Sequence, residues 1–269
     1  MALTSELDQA AGAYDALAPY YDQFTTGYAH DDWVAAIERH AIGLGLHGRR
    51  ALDIACGTGK STVPLLGRGY SVRACDVSSE MVAEAQRKFP HHAEAFVVAD
   101  MRRLPRLGEF DLVLCLDDAV NYLLSDAELR ATFAGVAGLL AHKGIFAFDV
   151  NSLRTYRGPF AQALVREADG LFFSWRGEDS SPVGPGELAR ATVEIFADRG
   201  DGLWQRRTSR HVQRHHRRAT VLAALEQAGL ECCQIAGQLP GAQLEAGSDE
   251  LRHIKLVYFA RRAKLNARG

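Results

Sequence analysis

Between residues 50 and 151 the chain alternates short apolar runs with segments in which apolar residues recur every three or four positions. Continuous apolar runs are typical of strands buried on both faces, and the recurring pattern is typical of helices. Strands that alternate with helices form a parallel sheet covered on both faces. The apolar runs predict five such strands, at residues 51–56, 71–77, 95–99, 110–116 and 144–150.

Two helices between these strands have clear boundary signals. One begins near Ser78 and presents apolar residues at helical spacing as far as Phe89. The other opens at Ser125 with the S-x-x-E form of a capping box, in which the first and last side chains each bond the other's backbone amide. We expect Gly144 to end this second helix and to begin the fifth strand.

Outside this region the pattern changes. Consecutive strands, which indicate an antiparallel insertion, are predicted at residues 171–175, 189–197 and 203–214. A helix that ends at Gly229 follows, and two closing strands are predicted at residues 231–236 and 253–260. The first 48 residues have the pattern of helices, with an apolar face formed by Trp33, Val34, Ile37 and Ile42.

These elements predict an α/β fold with a doubly wound, mainly parallel, seven-stranded sheet. An N-terminal helical cover and an antiparallel β insertion are added to it. We divide the chain into a cover at 1–48, a core at 49–151, the insertion at 152–218, and a C-terminal helix with closing strands at 219–269.

Composition narrows the classes of protein. The 269 residues include 31 Lys and Arg against 33 Asp and Glu, a formal net charge of −2. This near-neutral balance argues against a dedicated nucleic-acid binder. Residues 206–218 form a basic stripe, but no aromatic side chains are interleaved with its arginines for bases to stack on. A solvated strand edge is the better interpretation, and a basic rim for an acidic substrate is the alternative.

The cysteines bear on the compartment. There are five, an odd number without a C-x-x-C pair: Cys56, Cys75, Cys115, Cys232 and Cys233. Most of them lie inside apolar runs, where cysteine acts as a small hydrophobic residue, so we expect a reducing, cytoplasmic location. The first 20 residues lack the apolar core of a signal peptide, and no apolar stretch has the length of a membrane span, so we expect neither.

The segment from Leu52 to Ser61 carries the strongest chemical signal. Asp53 lies inside the first strand, and a G-x-G turn opens the helix that follows. Glycine is needed where the chain turns tightly and where the backbone approaches a ligand closely. A phosphate-binding P-loop would need glycine where Ile54 stands, and a dinucleotide fingerprint would need it where Thr62 stands. Neither pattern fits.

Acidic residues also follow the next three predicted strands. Asp76 ends the second, Asp100 the third and Asp117 the fourth. The carboxyl ends of parallel strands meet at one edge of the sheet, where doubly wound folds bind their ligands. We therefore expect these carboxylates to face one crevice.

These features resemble the class I S-adenosylmethionine-dependent methyltransferases, whose first motif is an acidic residue in the strand and then G-x-G, matched here from Asp53 to Gly59. The segment Tyr14–Asp22 is similar to the opening helix of small-molecule members, which closes over the cofactor. Residues 115–123 resemble their fourth-strand segment. The insertion is similar to that of bacterial amino-sugar N-methyltransferases and related natural-product enzymes, so the resemblance covers essentially the whole chain.

The resemblance implies S-adenosylmethionine as the cofactor, bound by the core at 49–151. In the family the acid after the second strand accepts both ribose hydroxyls and the acid after the third binds the adenine amino group, roles that fall to Asp76 and Asp100. The implied cofactor-binding residues are Tyr14, Tyr21, Trp33, Asp53, Ala55, Gly57, Thr58, Gly59, Asp76, Val77, Met81, Asp100, Met101 and Leu116.

Methyl transfer needs donor and acceptor held in line, and a base where the acceptor must lose a proton. The resemblance places Tyr21 near the transferred methyl group as a catalytic residue. His211 is the candidate general base, because an ordinary histidine titrates near neutrality. The alternative is a histidine that is only hydrogen-bonded within the structure. No metal is expected, because the adjacent His215 and His216 would face opposite sides of a strand.

Candidate acceptor-binding residues follow the fourth and fifth strands or lie beside His211 on the insertion, which would cap the substrate. They are Asp117, Asp118, Asn121, Tyr122, Asn151 and Gln213. For Asp118 and Asn121 the alternative role is to cap a helix.

The predicted function is transfer of a methyl group from S-adenosylmethionine to nitrogen or oxygen of a small molecule, in secondary metabolism. An RNA- or protein-directed methyltransferase is one alternative, and a non-catalytic nucleotide-binding module of the same fold is another. The expected partner is the small-molecule methyl acceptor, with neither nucleic acid nor membrane. The edges of the insertion offer pairing surfaces for a homodimer.

Overall fold

Two sheets organise the computed structural model, which describes residues 3–168 and 170–264. The strands are β1 (Arg50–Ile54), β2 (Ser71–Asp76), β3 (Phe96–Val98), β4 (Phe110–Cys115), β5 (Leu140–Asn151), β6 (Ala163–Ala168), β7 (Leu171–Gly177), β8 (Leu188–Asp198), β9 (Trp204–Arg214), β10 (Leu230–Gln238), β11 (Leu244–Ala246) and β12 (Lys255–Arg262). The larger sheet has the order β11-β10-β12-β5-β4-β1-β2-β3, and the smaller one has the order β6-β7-β8-β9.

Helices cover both faces of the larger sheet and fill the space between the sheets. They are α1 (Leu3–Leu17), α2 (Tyr21–Phe24), α3 (His30–Gly43), α4 (Thr62–Gly67), α5 (Ser79–Lys88), α6 (Asp126–Leu139), α7 (Leu153–Arg157) and α8 (Arg218–Gln227). Short 3₁₀ turns lie at Ala18–Tyr20, Pro90–Ala95, Met101–Arg103 and Ala119–Tyr122. None of the helices in the described ranges is long and apolar enough to cross a membrane.

The larger sheet confirms the doubly wound α/β fold. Strands β1 to β5 run parallel, and β12 joins β5 in the antiparallel direction. In β1 the side chains of Leu52 and Ile54 enter the hydrophobic layer on one side of the sheet, and that of Ala51 enters the layer on the other. Because β1 lies between β2 and β4, connections leave it in both directions, and a crevice opens at the carboxyl ends of these strands. The short β11 adds an eighth strand at the edge.

Two predictions from the sequence were wrong: one helix boundary, and one residue of an apolar helix face. Helix α6 ends at Leu139 and β5 begins at once with Leu140, so Gly144 lies inside the strand. A Cβ atom at this glycine would come within 2.9 Å of the Phe110 carbonyl, so close packing of β5 on β4 requires glycine there. On the predicted apolar face of α3, Trp33, Val34 and Ile37 are buried, whereas Ile42 is 50% exposed.

The smaller sheet packs on the N-terminal cover. Alternate residues of β8 are buried, and Val193 and Ile195 contact a cluster that includes Leu17 and Ala18 from the cover and Met81 from α5. The cover is therefore held between the insertion and the core. Strand β6 was not predicted, because its Arg166 and Glu167 interrupt the apolar pattern of an edge strand.

Candidate functional site

A cavity of about 1070 Å³, part of it open to solvent, lies at the carboxyl ends of β1, β2 and β4. The structure brings many of the predicted residues together around it: Tyr14, Tyr21, Ala55, Gly57, Asp76, Val77, Asp100, Met101, Leu116, Asp117 and Tyr122. It also adds lining residues that were not predicted: Ala10, His30, Cys56, Lys60, Ser61, Ala99, Arg102, Ala119, Leu123, Leu124 and Glu128. We call this space the main cavity.

The loop after β1 turns back on itself through left-handed backbone conformations. Ala55 has φ +57°, Gly57 has φ +53° and Gly59 has φ +88°. A Cβ atom at Gly59 would lie 3.0 Å from the Phe89 ring, so this glycine lets the loop pack on residues behind it. At Gly57 the nearest atom would be Cε1 of Tyr21 at 3.7 Å, so this glycine keeps room between the loop and the cover.

Asp53 supports the loop from below and lies outside the main-cavity lining. Its Oδ2 accepts hydrogen bonds from the hydroxyl groups of Ser61 at 2.7 Å and Thr62 at 2.6 Å. Burial raises the pKa of Asp53 to about 6, although these two hydrogen bonds lower it. The acid inside the first strand therefore fixes the start of α4, and with it the shape of the turn.

Asp76 sits at the edge of the main cavity and braces the same loop. Its Oδ2 accepts from the Gly57 amide at 2.8 Å, and its Oδ1 accepts from the Ser78 amide at 2.9 Å. Burial raises the pKa of this carboxyl, while the backbone amides lower it. Each carboxylate oxygen has a further lone pair, so Asp76 can also accept from the hydroxyl groups of a ribose.

Asp100 lines the cavity together with a side chain that the sequence did not single out. Arg102 donates to Asp100 Oδ2 at 2.9 Å and to Glu128 at 2.8 Å. This arrangement fixes the carboxylate beside an apolar part of the lining formed by Ala99, Met101, Leu123 and Leu124. An apolar slot with a carboxylate at its edge fits the faces and amino group of adenine. The pair Asp100–Arg102 could have been suspected from its two-residue spacing after a strand.

The cover forms the opposite wall and is fastened to the glycine loop. Asp22 accepts from the Thr58 hydroxyl at 2.6 Å and from Lys88 Nζ at 2.5 Å. Lys60 donates to the Thr25 hydroxyl at 2.7 Å. Thr58 therefore helps to hold the cover on the loop. Neither Thr58 nor Gly59 lines the main cavity. We call Asp22, Thr58 and Lys88 the clasp.

Two other predicted cofactor residues lie away from the main cavity. Trp33 is buried in the layer that packs α3 on the larger sheet, beside Leu114 and Leu116. Met81 is fully buried between α5 and the cover. Their apolar character serves packing at these positions.

An acidic turn follows β4. Asp117 and Asp118 have φ values of +57° and +56°, a conformation that non-glycine residues adopt at a cost in free energy. Asp149 at the end of β5 accepts from both of their backbone amides, at 2.9 and 2.6 Å. The ammonium of Lys255 lies 2.9 Å from Asp118, 3.3 Å from Asp149 and 3.8 Å from Asp117. One buried cation thus stabilises three carboxylates.

Only Asp117 of these acids faces the main cavity, and it does so beside His30. His30 Nε2 lies 2.9 Å from Asp117 Oδ2, and Nδ1 lies 3.1 Å from the Tyr28 carbonyl. Both ring nitrogens thus lie within hydrogen-bond distance of an oxygen atom, which fixes the orientation of the ring. Burial would raise the pKa of Asp117, but the His30 hydrogen bond and the Lys255 charge lower it to about 2. In contrast, burial raises the pKa of Asp149 to about 6.

Four of the predicted acceptor-binding residues bond to each other and to the backbone, away from the cavity lining. Gln213 donates to Asp118 at 2.5 Å and accepts from Asn151 at 3.0 Å. Asn121 accepts from the Asn151 amide at 2.9 Å and donates to the Arg214 carbonyl at 2.8 Å. This network fastens β9 of the insertion to the ends of β4 and β5.

His211 lies behind the cavity wall. Its Nδ1 is 2.8 Å from the Tyr122 hydroxyl, and Nε2 is 3.1 Å from the Ser209 hydroxyl. Tyr122 in turn accepts from the Tyr14 hydroxyl at 3.0 Å. Burial lowers the pKa of His211 to about 4, so the expectation that it titrates near neutrality was wrong. Its ring lies behind Tyr122 and Tyr14, which both line the main cavity.

Three of the six arginines in the basic stripe pair with acids, two on the outer face of the smaller sheet and one with the first residue of α6. Arg210 contacts Glu178 at 2.7 Å, Arg214 contacts Asp126 at 2.6 Å, and Arg206 pairs with Glu194. This pairing fits the interpretation of a solvated strand edge.

Comparison with known proteins identifies the family. A family profile described as a methyltransferase domain matches residues 51–144. A protein of Geobacillus sp. (strain WCH70), whose name gives methyltransferase without a substrate, is 30% identical over 208 residues, covering 74% of this chain and 81% of its own length. Glycine/sarcosine N-methyltransferase of Parasynechococcus marenigrum (strain WH8102) is 36% identical over 162 residues, which is 58% of this chain and 55% of that protein.

Solved structures share the fold. An S-adenosylmethionine-dependent methyltransferase from Clostridium acetobutylicum ATCC 824 superposes with a TM-score of 0.77 at 22% identity, covering 93% of this chain and 99% of that one. The sugar N-methyltransferase KedS8 from Streptoalloteichus sp. ATCC 53650 has a TM-score of 0.70 at 24% identity, covering 90% and 92%. The chain belongs to the class I S-adenosylmethionine-dependent methyltransferases.

Proposed function

We propose that this methyltransferase acts on an amine nitrogen of a small molecule. S-adenosylmethionine, when bound, supplies an electrophilic methyl group on a cationic sulfonium. The observation that carries the proposal is the carboxylate of Asp117, which lines the main cavity at the end of β4 and stays ionised because its pKa is lowered to about 2.

Positive charge moves from sulfur to the acceptor atom during methyl transfer. A carboxylate beside a nitrogen acceptor stabilises that developing charge, and fixed charges act strongly in a site that excludes water. Asp117 can also accept an N–H bond from a neutral amine, which turns the nitrogen lone pair toward the methyl group. His30 and Lys255 hold the carboxylate in place for this role.

The neighbouring side chains are poor bases, which also favours an amine. The phenol groups of Tyr14, Tyr21 and Tyr122 keep their protons at neutral pH, because burial raises their pKa values. His211 is a weak base with a pKa lowered to about 4. A hydroxyl acceptor needs a base during the attack, whereas an amine can lose its extra proton to solvent before it binds.

Several similar proteins have names that give nitrogen as the methylated atom, among them glycine/sarcosine N-methyltransferase and the sugar N-methyltransferase KedS8. Other similar proteins are magnesium-protoporphyrin O-methyltransferases, so the names support a small-molecule acceptor and the choice of nitrogen rests on Asp117. By the same resemblance we place the enzyme in secondary metabolism. Tyr21 lies in the wall of the main cavity, and we propose that it is the aromatic residue nearest the transferred methyl group.

The test compares amines with alcohols of the same carbon skeleton. Purified protein is incubated with S-adenosylmethionine and each compound, and release of S-adenosylhomocysteine is followed. We expect turnover on amines and little on the matched alcohols. Turnover on alcohols or RNA alone, or binding of S-adenosylhomocysteine without any turnover, would overturn the proposal.

The variant Asp117→Asn tests the role of the carboxylate. We expect a loss of about 100-fold in kcat, the size typical of removing one electrostatic group from a transition state, with the Kd for S-adenosylhomocysteine changed less than about threefold. Asp126→Asn is the matched control, because Asp126 is an exposed acid at the start of α6. Equal activity of the two variants would remove Asp117 from the mechanism.

A further inference from the structure

A second cavity of about 360 Å³, part of it open to solvent, lies between the cover and the inner face of the smaller sheet. We call it the outer cavity, and it is lined by Phe24, Tyr28, Leu164, Arg166, Phe173 and Trp175. We propose that it holds the body of the methyl acceptor, and that this acceptor carries a flat ring and an anionic group. The inference rests on the proposed function and specifies its substrate class.

Aromatic side chains supply most of the wall. The rings of Phe24 and Trp175 lie 6.5 Å apart between centroids and are close to parallel, with 20° between their planes. The Phe173 ring lies 5.7 Å from Phe24. Tyr28 is 62% exposed, an unusual position for a large aromatic side chain beside an apolar surface. Such rings bind flat ligands by stacking and by burial of apolar area.

The register of the smaller sheet places a cation among these rings. Arg166 of β6 is directly opposite Phe173 of β7, and Leu164 is directly opposite Trp175. Directly opposite residues of paired strands project to the same face, so Arg166 shares the inner, aromatic face of the sheet. On the outer face, Arg206, Arg210 and Arg214 contact carboxylates instead.

Within the part of the chain that the structure describes, no carboxylate lies within 4.0 Å of Arg166. On the same sheet Arg190, Arg206 and Arg210 each pair with an acid, whereas among the described residues Arg176 and Arg207 do not; what distinguishes Arg166 is its place in the lining of the outer cavity. A guanidinium without such a partner beside aromatic rings is suited to a carboxylate or a phosphate, which it can bind through two parallel hydrogen bonds. The acceptor's anionic group supplies the missing partner.

The same segment of the cover lines both cavities, although among the residues described they have no lining residue in common. Helix α2 contributes Tyr21 to the main cavity and Phe24, one turn later, to the outer one. The Tyr28 carbonyl accepts from His30, which in turn contacts Asp117. In this proposal the acceptor's nitrogen lies at Asp117, and its body passes His30 and Tyr28 into the outer cavity. Its negative group then lies on the side away from the acidic turn, which suits its charge.

The experiment uses three probes with the same ring: phenyl phosphate, benzoate and neutral benzyl alcohol. Each is titrated into the full chain saturated with S-adenosylhomocysteine, and binding is followed by tryptophan fluorescence and by ligand-observed NMR. We expect at least one anionic probe to bind at least fivefold more tightly than benzyl alcohol. The better of the two anions tells whether the site takes a phosphate or a carboxylate.

Two variants separate the cation from the rings. Arg166→Gln should weaken the anionic probe at least fivefold and leave benzyl alcohol unchanged, because only the charge is lost. Phe24→Leu should weaken all three probes. Arg176→Gln is the matched control: Arg176 is exposed on the neighbouring strand, follows Trp175 directly and so projects to the other face, and should have no effect.

Each outcome decides the inference. Equal binding of the anionic probes to the native protein and Arg166→Gln would refute the anionic subsite. Binding of S-adenosylhomocysteine without binding of any probe would refute the outer cavity as the acceptor site and leave the methyltransferase assignment intact. Failure to bind S-adenosylhomocysteine would count against the proposed function itself, and the titration that precedes the probes measures this separately.

Discussion

At the scale of single residues, neighbouring positions in one motif have different tasks. Asp53 and Gly59 shape the loop after β1 from below and behind, whereas Gly57 and Asp76 face the main cavity. The motif spacing predicts the turn, because tight turns need glycine and a bracing acid. It does not predict which residues face the ligand, because that depends on the packing of Phe89 and Phe96 behind the loop.

Gly57→Ala tests the space between the loop and the cover. The added Cβ atom would project toward Tyr21, 3.7 Å away, where the cofactor must pass the loop. We expect the Kd for S-adenosylhomocysteine, measured by calorimetry, to rise at least tenfold. Gly69→Ala is the control for backbone strain, because Gly69 also has a left-handed φ (+80°) but has no atom within 4 Å of an added Cβ.

Both glycine variants should lose about 1 kcal/mol of stability, the usual cost of a left-handed residue. A Gly69→Ala protein that lost cofactor affinity to the same extent would mean that strain, and not the space near Tyr21, sets the affinity.

At the scale of elements, the cover is attached by a few polar contacts at one end and by the smaller sheet along its length. The helical pattern predicts the cover helices and the apolar runs predict the core strands. The contacts that hold the cover join residues far apart in sequence, such as Asp22 with Lys88 of α5 and Phe24 with Trp175 of the smaller sheet. No periodicity encodes such pairs, which is why the outer cavity and the clasp emerge only from the packed structure.

Lys88→Met tests the clasp. The substitution leaves Asp22 without its cation, so the open form of the cover gains population and bound cofactor is lost more easily. Because the pair is half-exposed, we expect only a threefold to fivefold rise in the Kd for S-adenosylhomocysteine, about 0.7–1 kcal/mol. Arg87→Gln, which removes an exposed pair within α5, is the control. An unchanged Kd in Lys88→Met would show that the smaller sheet alone holds the cover.

At the scale of the whole molecule, buried histidines and buried acids have opposite effects on stability as the pH falls. Burial lowers the pKa of His211 and His216 to about 4, so their unfolded forms take up protons first and stability is lost between about pH 6.5 and 4. Burial raises the pKa of Asp53 and Asp149 to about 6, so stability is gained as the pH falls over the range from about 6 to 4. The two effects offset each other.

The variant His216→Gln removes one of the two buried histidines that destabilise the protein as the pH falls. From pH 7 to pH 4.5 the native protein should lose about 2–3 kcal/mol more of its unfolding free energy than the variant does, the contribution of one histidine whose pKa falls from 6.5 to about 4. Urea unfolding at several pH values measures this. The exposed His142→Gln should follow the native curve; parallel curves for His216→Gln would contradict the lowered pKa.

The order of strands along the chain affects when the acidic turn can form. The carboxylates of Asp117, Asp118 and Asp149 leave the ribosome well before Lys255, the cation that makes their proximity tolerable. Until β12 inserts between β10 and β5, bringing these acids together is repulsive. We therefore expect the acidic turn to take its final form only after β12 has been synthesised, so the last strand of the chain completes a site whose acids come from β4 and β5.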